Sequence, residues 1–182
     1  MTHDVNIGLG NATGMAYHAP AGTALPAYPG ATLDPAWKEI GAISEDGITY
    51  GMNHELTPLR NWAKEIERLM PADGDSTIQA PFIDTTQETL ETIFGADNVT
   101  VTEATAEHGK LISVEIGPDT APDAEAFLFL MKDGDDMIMI GSTRATVTAV
   151  DDITFGPSDA ITWNATISTK AWTVVKDNGQ TV

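Results

Sequence analysis

From about residue 98 onward this chain is written two by two. Ile161, Trp163, Ala165 and Ile167 alternate with Thr162, Asn164, Thr166 and Ser168. In an extended strand a period of two puts the apolar set on one face and the polar set on the other, whereas a helix would scatter both around its circumference. Residues 99–103 (Val-Thr-Val-Thr-Glu), 111–116 (Leu-Ile-Ser-Val-Glu-Ile) and 144–150 repeat the pattern. Apolar runs at 125–131 and 137–141 flank Asp133-Gly-Asp-Asp136, the layout of a β-hairpin. About eight such half-buried strands predict a mainly β fold, a β-sandwich or open barrel.

One helix breaks the texture. Thr85-Thr86 offers a cap, Glu88 lies in the first turn, and Leu90, Ile93 and Phe94 form a stripe that Gly95 ends. This predicts a flanking α-helix over 86–94. Before it, residues 77–84 form a strand with Ile78, Ala80 and Phe82 on one face. Residues 1–34 are rich in Gly, Ala, Pro and Thr, with one short strand at 14–19. The expected organisation is an N-terminal arm over 1–36, a β domain over 37–172 and a C-terminal tail over 173–182. Strands at 37–43 and 48–56 flank Asp46-Gly47. Residues 59–70 are ambiguous, because Leu59, Trp62, Ile66, Leu69 and Met70 recur at helical spacing.

Composition narrows the function. Without cysteine there are no disulfides, thiolate metal sites or thiol nucleophiles. A net charge of −18 argues against a surface that grips nucleic acid, since that grip needs Lys and Arg on phosphates. The longest apolar run, at 126–131, is too short to cross a bilayer, and the first ten residues lack a signal-peptide pattern. These point to a soluble chain made in a cytoplasm.

No motif carries catalysis. Asp73-Gly-Asp75 and Asp133-Gly-Asp-Asp136 lack the rest of a Ca²⁺ loop and read as solvated turns. His3, His18, His54 and His108 are dispersed and read as ordinary surface or loop histidines. The glycine-rich 8–14 segment follows no strand and has no Walker lysine. No metal, cofactor or catalytic residue is expected, and no enzyme. Trp37, Trp62, Trp163 and Trp172 leave one alternative, a monomeric β-sandwich module whose aromatic platform binds carbohydrate or protein.

Three segments, taken in order, resemble the major tail (tail tube) proteins of long-tailed, non-contractile, siphovirus-type bacteriophages of actinobacteria. Gly41-Ala-Ile-Ser-Glu-Asp-Gly-Ile-Thr49 is similar to a Gly-Tyr-Ile-Ser-Glu-Asp-Gly signature, with Ala42 in place of the Tyr. Residues 77–95 are similar to a strand leading into a short helix, through Asp84-Thr-Thr-Gln87, Leu90, Phe94 and Gly95. Residues 127–169 resemble the family's hairpin, its Arg-bearing strand (Thr143-Arg-Ala-Thr-Val147, lacking the usual Pro) and its last alternating strand.

The resemblance implies a structural virion protein, synthesised in the host bacterial cytoplasm. Its subunits would form hexameric rings that stack into a tube, through which genomic DNA passes during ejection without specific binding and without a membrane. An inner sheet from each subunit would join its neighbours' around the lumen. Tape measure and tail terminator or tip proteins would be its other partners. A long inter-ring hairpin loop over 43–81 would reach the adjacent ring, so 59–70 is expected to be extended rather than helical. Candidate inter-ring loop residues are Ser44, Asp46, Gly47, Asp73, Gly74 and Asp75. Candidate lumen-lining acids are Glu39, Glu45, Glu55, Glu65 and Glu67, whose charge would repel DNA from the wall.

Overall fold

A computed structural model describes residues 9–10, 16–53, 56–71, 74–117, 120, 122–157 and 160–179. Its strands are β1 (Leu9–Gly10), β2 (Ala16–Pro20), β3 (Lys38–Glu39), β4 (Thr49–Met52), β5 (Leu56–Arg60), β6 (Ile66–Pro71) and β7 (Ser76–Phe82). After the helix α1 (Gln87–Phe94) come β8 (Val99–Thr102), β9 (Leu111–Val114), β10 (Glu125–Asp133), β11 (Asp136–Val150), β12 (Trp163–Thr169) and β13 (Thr173–Asp177). The fold is mainly β, as the alternating sequence requires, with one flanking helix.

Two layers share one strand. The first runs β3-β2-β10-β11, with β1 also on β10 and β13 also on β11. The second runs β11-β12-β7-β4. The first part of β11 pairs with β10 and β13, and its last part, from Thr146 to Val150, pairs with β12. From sequence this strand reads as two, at 137–141 and 144–150. It runs unbroken because Gly141 lets the chains close up: a Cβ there would meet the Leu25 side chain at 2.7 Å and the Phe127 carbonyl oxygen at 3.0 Å.

The unbroken apolar run of β10 is explained by burial on both of its faces. Phe127 and Phe129 enter the main core with Ile78, Phe82 and Ile167 of the second layer. Ala126, Leu128 and Leu130 point the other way and pack with Ala19, Trp37 and Met139, beneath Leu25 and Leu33. The segment between β2 and β3 is thus a cover over the first layer, tied down where Gly22 N–H donates to the Thr143 carbonyl.

The helix ends are as the sequence predicts. Thr86 Oγ1 accepts from Thr89 N–H at 3.2 Å, and Gly95, at φ 88°, donates back to the Glu91 carbonyl at 2.8 Å. Leu90, Ile93 and Phe94 join the main core, where Phe94 meets Trp163 edge-on at 5.7 Å. Between β10 and β11, Gly134 takes the positive φ of 60° that suits the first central position of a two-residue hairpin turn.

Three segments differ from expectation. Residues 37–43 form only the two-residue β3 and an isolated bridge from Ile43 to Phe82. Thr173–Asp177, expected within a trailing tail, is strand β13 on β11. His18, read as a surface or loop residue, is buried on β2, where the closeness of β10 and α1 leaves it little access to water. Residues 59–70 are extended, not helical, as the family resemblance implies.

Candidate functional site

The most distinctive region is a long two-stranded excursion over residues 49–82. At its root β4 pairs with β7, Thr49 opposite Gln79 and Met52 opposite Ser76. Asn53 N–H then donates to the Asp75 carbonyl at 3.1 Å, and β5 pairs with β6 from Leu56 opposite Pro71 to Arg60 opposite Ile66. The same two chain segments therefore build the edge of the second layer and continue past it as a projecting ribbon. From Leu56 to Trp62 the reach is about 20 Å at ~3.3 Å per residue. The crossing is tight: a Cβ on Gly74 would stand 2.5 Å from the Asn53 carbonyl oxygen, so glycine is needed there.

Among the described residues the ribbon is largely exposed. Every residue of β5 is exposed, and Leu56, Leu59, Trp62, Ile66 and Met70 all present apolar side chains to solvent, Trp62 at 103% exposure. Polar contacts shape its tip. Asn61 Nδ2 donates to Glu67 Oε1 at 2.7 Å, Glu65 N–H donates to Asn61 Oδ1 at 3.0 Å, and Arg60 Nη1 donates to the Lys64 carbonyl at 2.9 Å. Exposed apolar side chains of this kind are what protein contacts commonly cover.

Beside the ribbon lies a second unusual surface. In the first layer β2 and β10 are covered on both faces, whereas among the described residues β7 and β12 of the second layer bury one face only. Ser76, Ile78, Ala80 and Phe82 of β7 face the core, while Thr77, Gln79 and Pro81 do not. Register carries this outer face across the layer: Thr77 lies opposite Ser168 and Gly51, and Ser168 opposite Thr146. The next row runs from Thr49 through Gln79 to Thr166. Thr148 Oγ1 shares a hydrogen bond with Ser168 Oγ at 2.9 Å, which places it on the same face.

The sequence-derived candidates are spread over the molecule. Glu39 lies on β3, opposite Tyr17 in the first layer. Burial, and secondarily the Glu39 carboxylate, push the Tyr17 hydroxyl above its ordinary pKa. Ser44, Glu45, Asp46 and Gly47 form a turn leading into β4, closed by Gly47 N–H on the Ser44 carbonyl, with Gly47 at φ 70°. Gly74 and Asp75 lie at the opposite end of the β4–β7 pair, at the root of the ribbon. Glu65 and Glu67 meet at Asn61 near its tip. Glu55 and Asp73 are outside the described residues. The structure thus unites Glu65 with Glu67, but neither with Glu39 or Glu45.

The tryptophans form no shared platform. Trp37 and Trp163 are buried in different cores, Trp172 packs near Phe129 and donates to the Ser76 carbonyl, and Trp62 stands alone at the ribbon tip. A polar cluster that the sequence did not disclose surrounds His18, whose Nδ1 is 2.9 Å from Glu125 Oε2 and whose Nε2 is 3.4 Å from Glu88 Oε2. Lys38 Nζ reaches Glu88 at 3.1 Å. These groups belong to β2, β3, α1 and β10, and only folding brings them together. Among the described residues no group of three or more His, Asp or Glu could hold a metal ion, and no helix is long and apolar enough to cross a membrane.

No curated protein matches the chain. Among solved structures it is similar to a chain of the virion of a native gene transfer agent particle, at 13% identity and a TM-score of 0.39, over 80% of this chain and 92% of that one. The family model of the phage tail tube protein matches residues 1–172. With nearly the whole β framework inside that match, the chain belongs to the phage tail tube protein family and is a structural component of a virion tail.

Proposed function

We propose that copies of this chain close side by side into hexameric rings, and that the rings stack into a tube that conducts genomic DNA. The observation that carries this is the ribbon of β5 and β6. It extends about 20 Å from Leu56 to Trp62 and presents five large apolar side chains left exposed among the described residues. A second copy is the natural cover in a family that builds a tail. The outer edge of β4 supports side-to-side closure, since among the described residues no strand pairs with it and a neighbour's strand can. The turn at 44–47 and the ribbon root at Gly74 and Asp75 lie at opposite ends of the second layer, suited to contacts with the rings on either side. Tape measure and terminator or tip proteins complete the assembly. The subunit performs no reaction of its own.

Electron microscopy of the purified chain, seeded with tails from particles that carry it, tests the proposal. Extension of the seeds by a wall with a continuous bore is the expected result. A density map of the native particle that places this chain outside any tubular wall would overturn it.

A further inference from the structure

The second layer carries its charge at its two ends, and the ends are unlike. At the ribbon root, the row that follows Thr169 and Ser76 holds Arg144, Lys170 and Asp75, and the Thr169 hydroxyl donates to the Arg144 carbonyl at 2.7 Å. Arg144 and Lys170 are exposed, and among the described residues neither makes an ion pair, not even with Asp75. They flank an open hollow of about 470 Å³ that Thr143, Thr146, Ser168 and Thr169 also line. Residues 53–75 with 144 and 170 carry five of the nine Lys and Arg, but only five of the 27 Asp and Glu.

About 20 Å away, at the far end of β7, the charge is of one sign. Ser44 N–H donates to the Pro81 carbonyl, Pro81 lies opposite Asn164, and Asp151 N–H donates to the Asn164 carbonyl. The turn bearing Glu45 and Asp46 and the end of β11 bearing Asp151 and Asp152 therefore share one end of the layer. All four acids are exposed, and no Lys or Arg occurs in 41–48 or 150–163. Asp46 accepts from the Ser44 hydroxyl and Asp151 from the Asn164 amide. Among the described residues the Glu45 and Asp152 side chains make no hydrogen bond.

We infer that the basic root of one subunit seats against the acidic end of a copy in the next ring, and that this pairing fixes the direction in which every ring adds. The inference rests on the tube proposed above and names the two surfaces that meet. A chain of net charge −18 repels its own copies, so contact is favoured where its few cations face acids. Two acidic ends brought together repel, whereas head-to-tail contact pairs opposite signs at every junction. In the hollow, two cations and several hydroxyls offer the donors that a carboxylate accepts. Asp75 cancels only one of the two cations. A single exposed ion pair is weak, but the same pair recurs for each subunit of a ring, so the preference multiplies around it. Such charges select direction and register more than they add affinity.

Two charge-reversed chains test this. One carries Arg144→Glu with Lys170→Glu, the other Glu45→Lys with Asp152→Lys. Either chain alone meets its own copies with like charges, and its critical concentration for assembly should rise at least about tenfold. Mixed in equal amounts, each chain offers the other an opposite sign at both ends, so assembly should return to within about threefold of the unsubstituted chain. Unchanged assembly of either chain alone would overturn the inference. So would a mixture no better than its parts while both chains melt like the unsubstituted subunit. Should a reversed chain not fold, unsubstituted tubes treated with a carbodiimide decide, since that reagent joins an amine to a carboxylate in direct contact. Peptide mapping should find Lys170 joined to Glu45, Asp46, Asp151 or Asp152 in products larger than one ring. No such link, or links confined to products of one ring or less, would overturn the inference while leaving the tube intact. Failure of the unsubstituted chain to form tubes would sink the underlying proposal, and the inference with it.

Discussion

On the proposed tube, truncating Trp62 should separate folding from assembly, because its exposed side chain serves only the second. At 103% exposure it touches nothing that holds the subunit together, so Trp62→Ala should leave the melting temperature of the free subunit within about a degree. In the tube the same side chain is expected in a neighbour's surface. A buried Trp removes about 150–250 Å² from water, an upper limit of about 4–6 kcal/mol at ~25 cal/mol per Å². Measured truncations of central interface aromatics fall nearer 2–4 kcal/mol. In the proposed tube each step of growth would bury one such ribbon, so the critical concentration for assembly should rise by about 30- to 1000-fold. Sedimentation of tubes across a concentration series reads this directly, with thermal unfolding of the free subunit alongside. An unchanged critical concentration would refute the role given to the ribbon. A fall of several degrees in melting temperature would refute the premise that it is free of intramolecular contacts.

Leu128→Ala should do the reverse, costing about 2–5 kcal/mol of subunit stability, because Leu128 is fully buried in the core beneath the 21–36 cover; circular dichroism melts of the free subunit would show it. Gly74→Ala puts a methyl against the Asn53 carbonyl and should loosen the ribbon root, raising amide exchange across β5 and β6 while leaving β10 and β11 protected. Thr86→Ala removes the acceptor that caps α1 and should destabilise the subunit by about 1 kcal/mol in denaturant titration, without changing the critical concentration for assembly.

The sequence was most readable where one face of an element is buried and the other is not. The β12 alternation, the capped helix and the Asp133–Asp136 turn all follow from burial and local backbone demands. Residues 59–70 misled periodicity for the converse reason. β5 buries neither face, so nothing imposes alternation there, and the turn around Asn61 spaces Leu59, Trp62 and Ile66 as a helix would. Strand β13 was invisible because it is a largely exposed edge whose pairing with β11 is not encoded locally. The acids were chosen from presumed strands, but which face a residue serves depends on register and on which layer is covered. Only the pairing of β7 with β12 and β4 reveals which residues share the free side.

The ribbon and the edge of the second layer are one piece of chain, and this has a mechanical consequence. A pull on the tip travels along the backbone into β4 and β7. The ladder bonds between β7 and β12 then bear it side by side, each sharing the load, instead of opening one after another like a zip. Bending or stretching a filament built this way would strain many weak bonds slightly, so neighbouring units can flex against each other without any one of them coming unstitched.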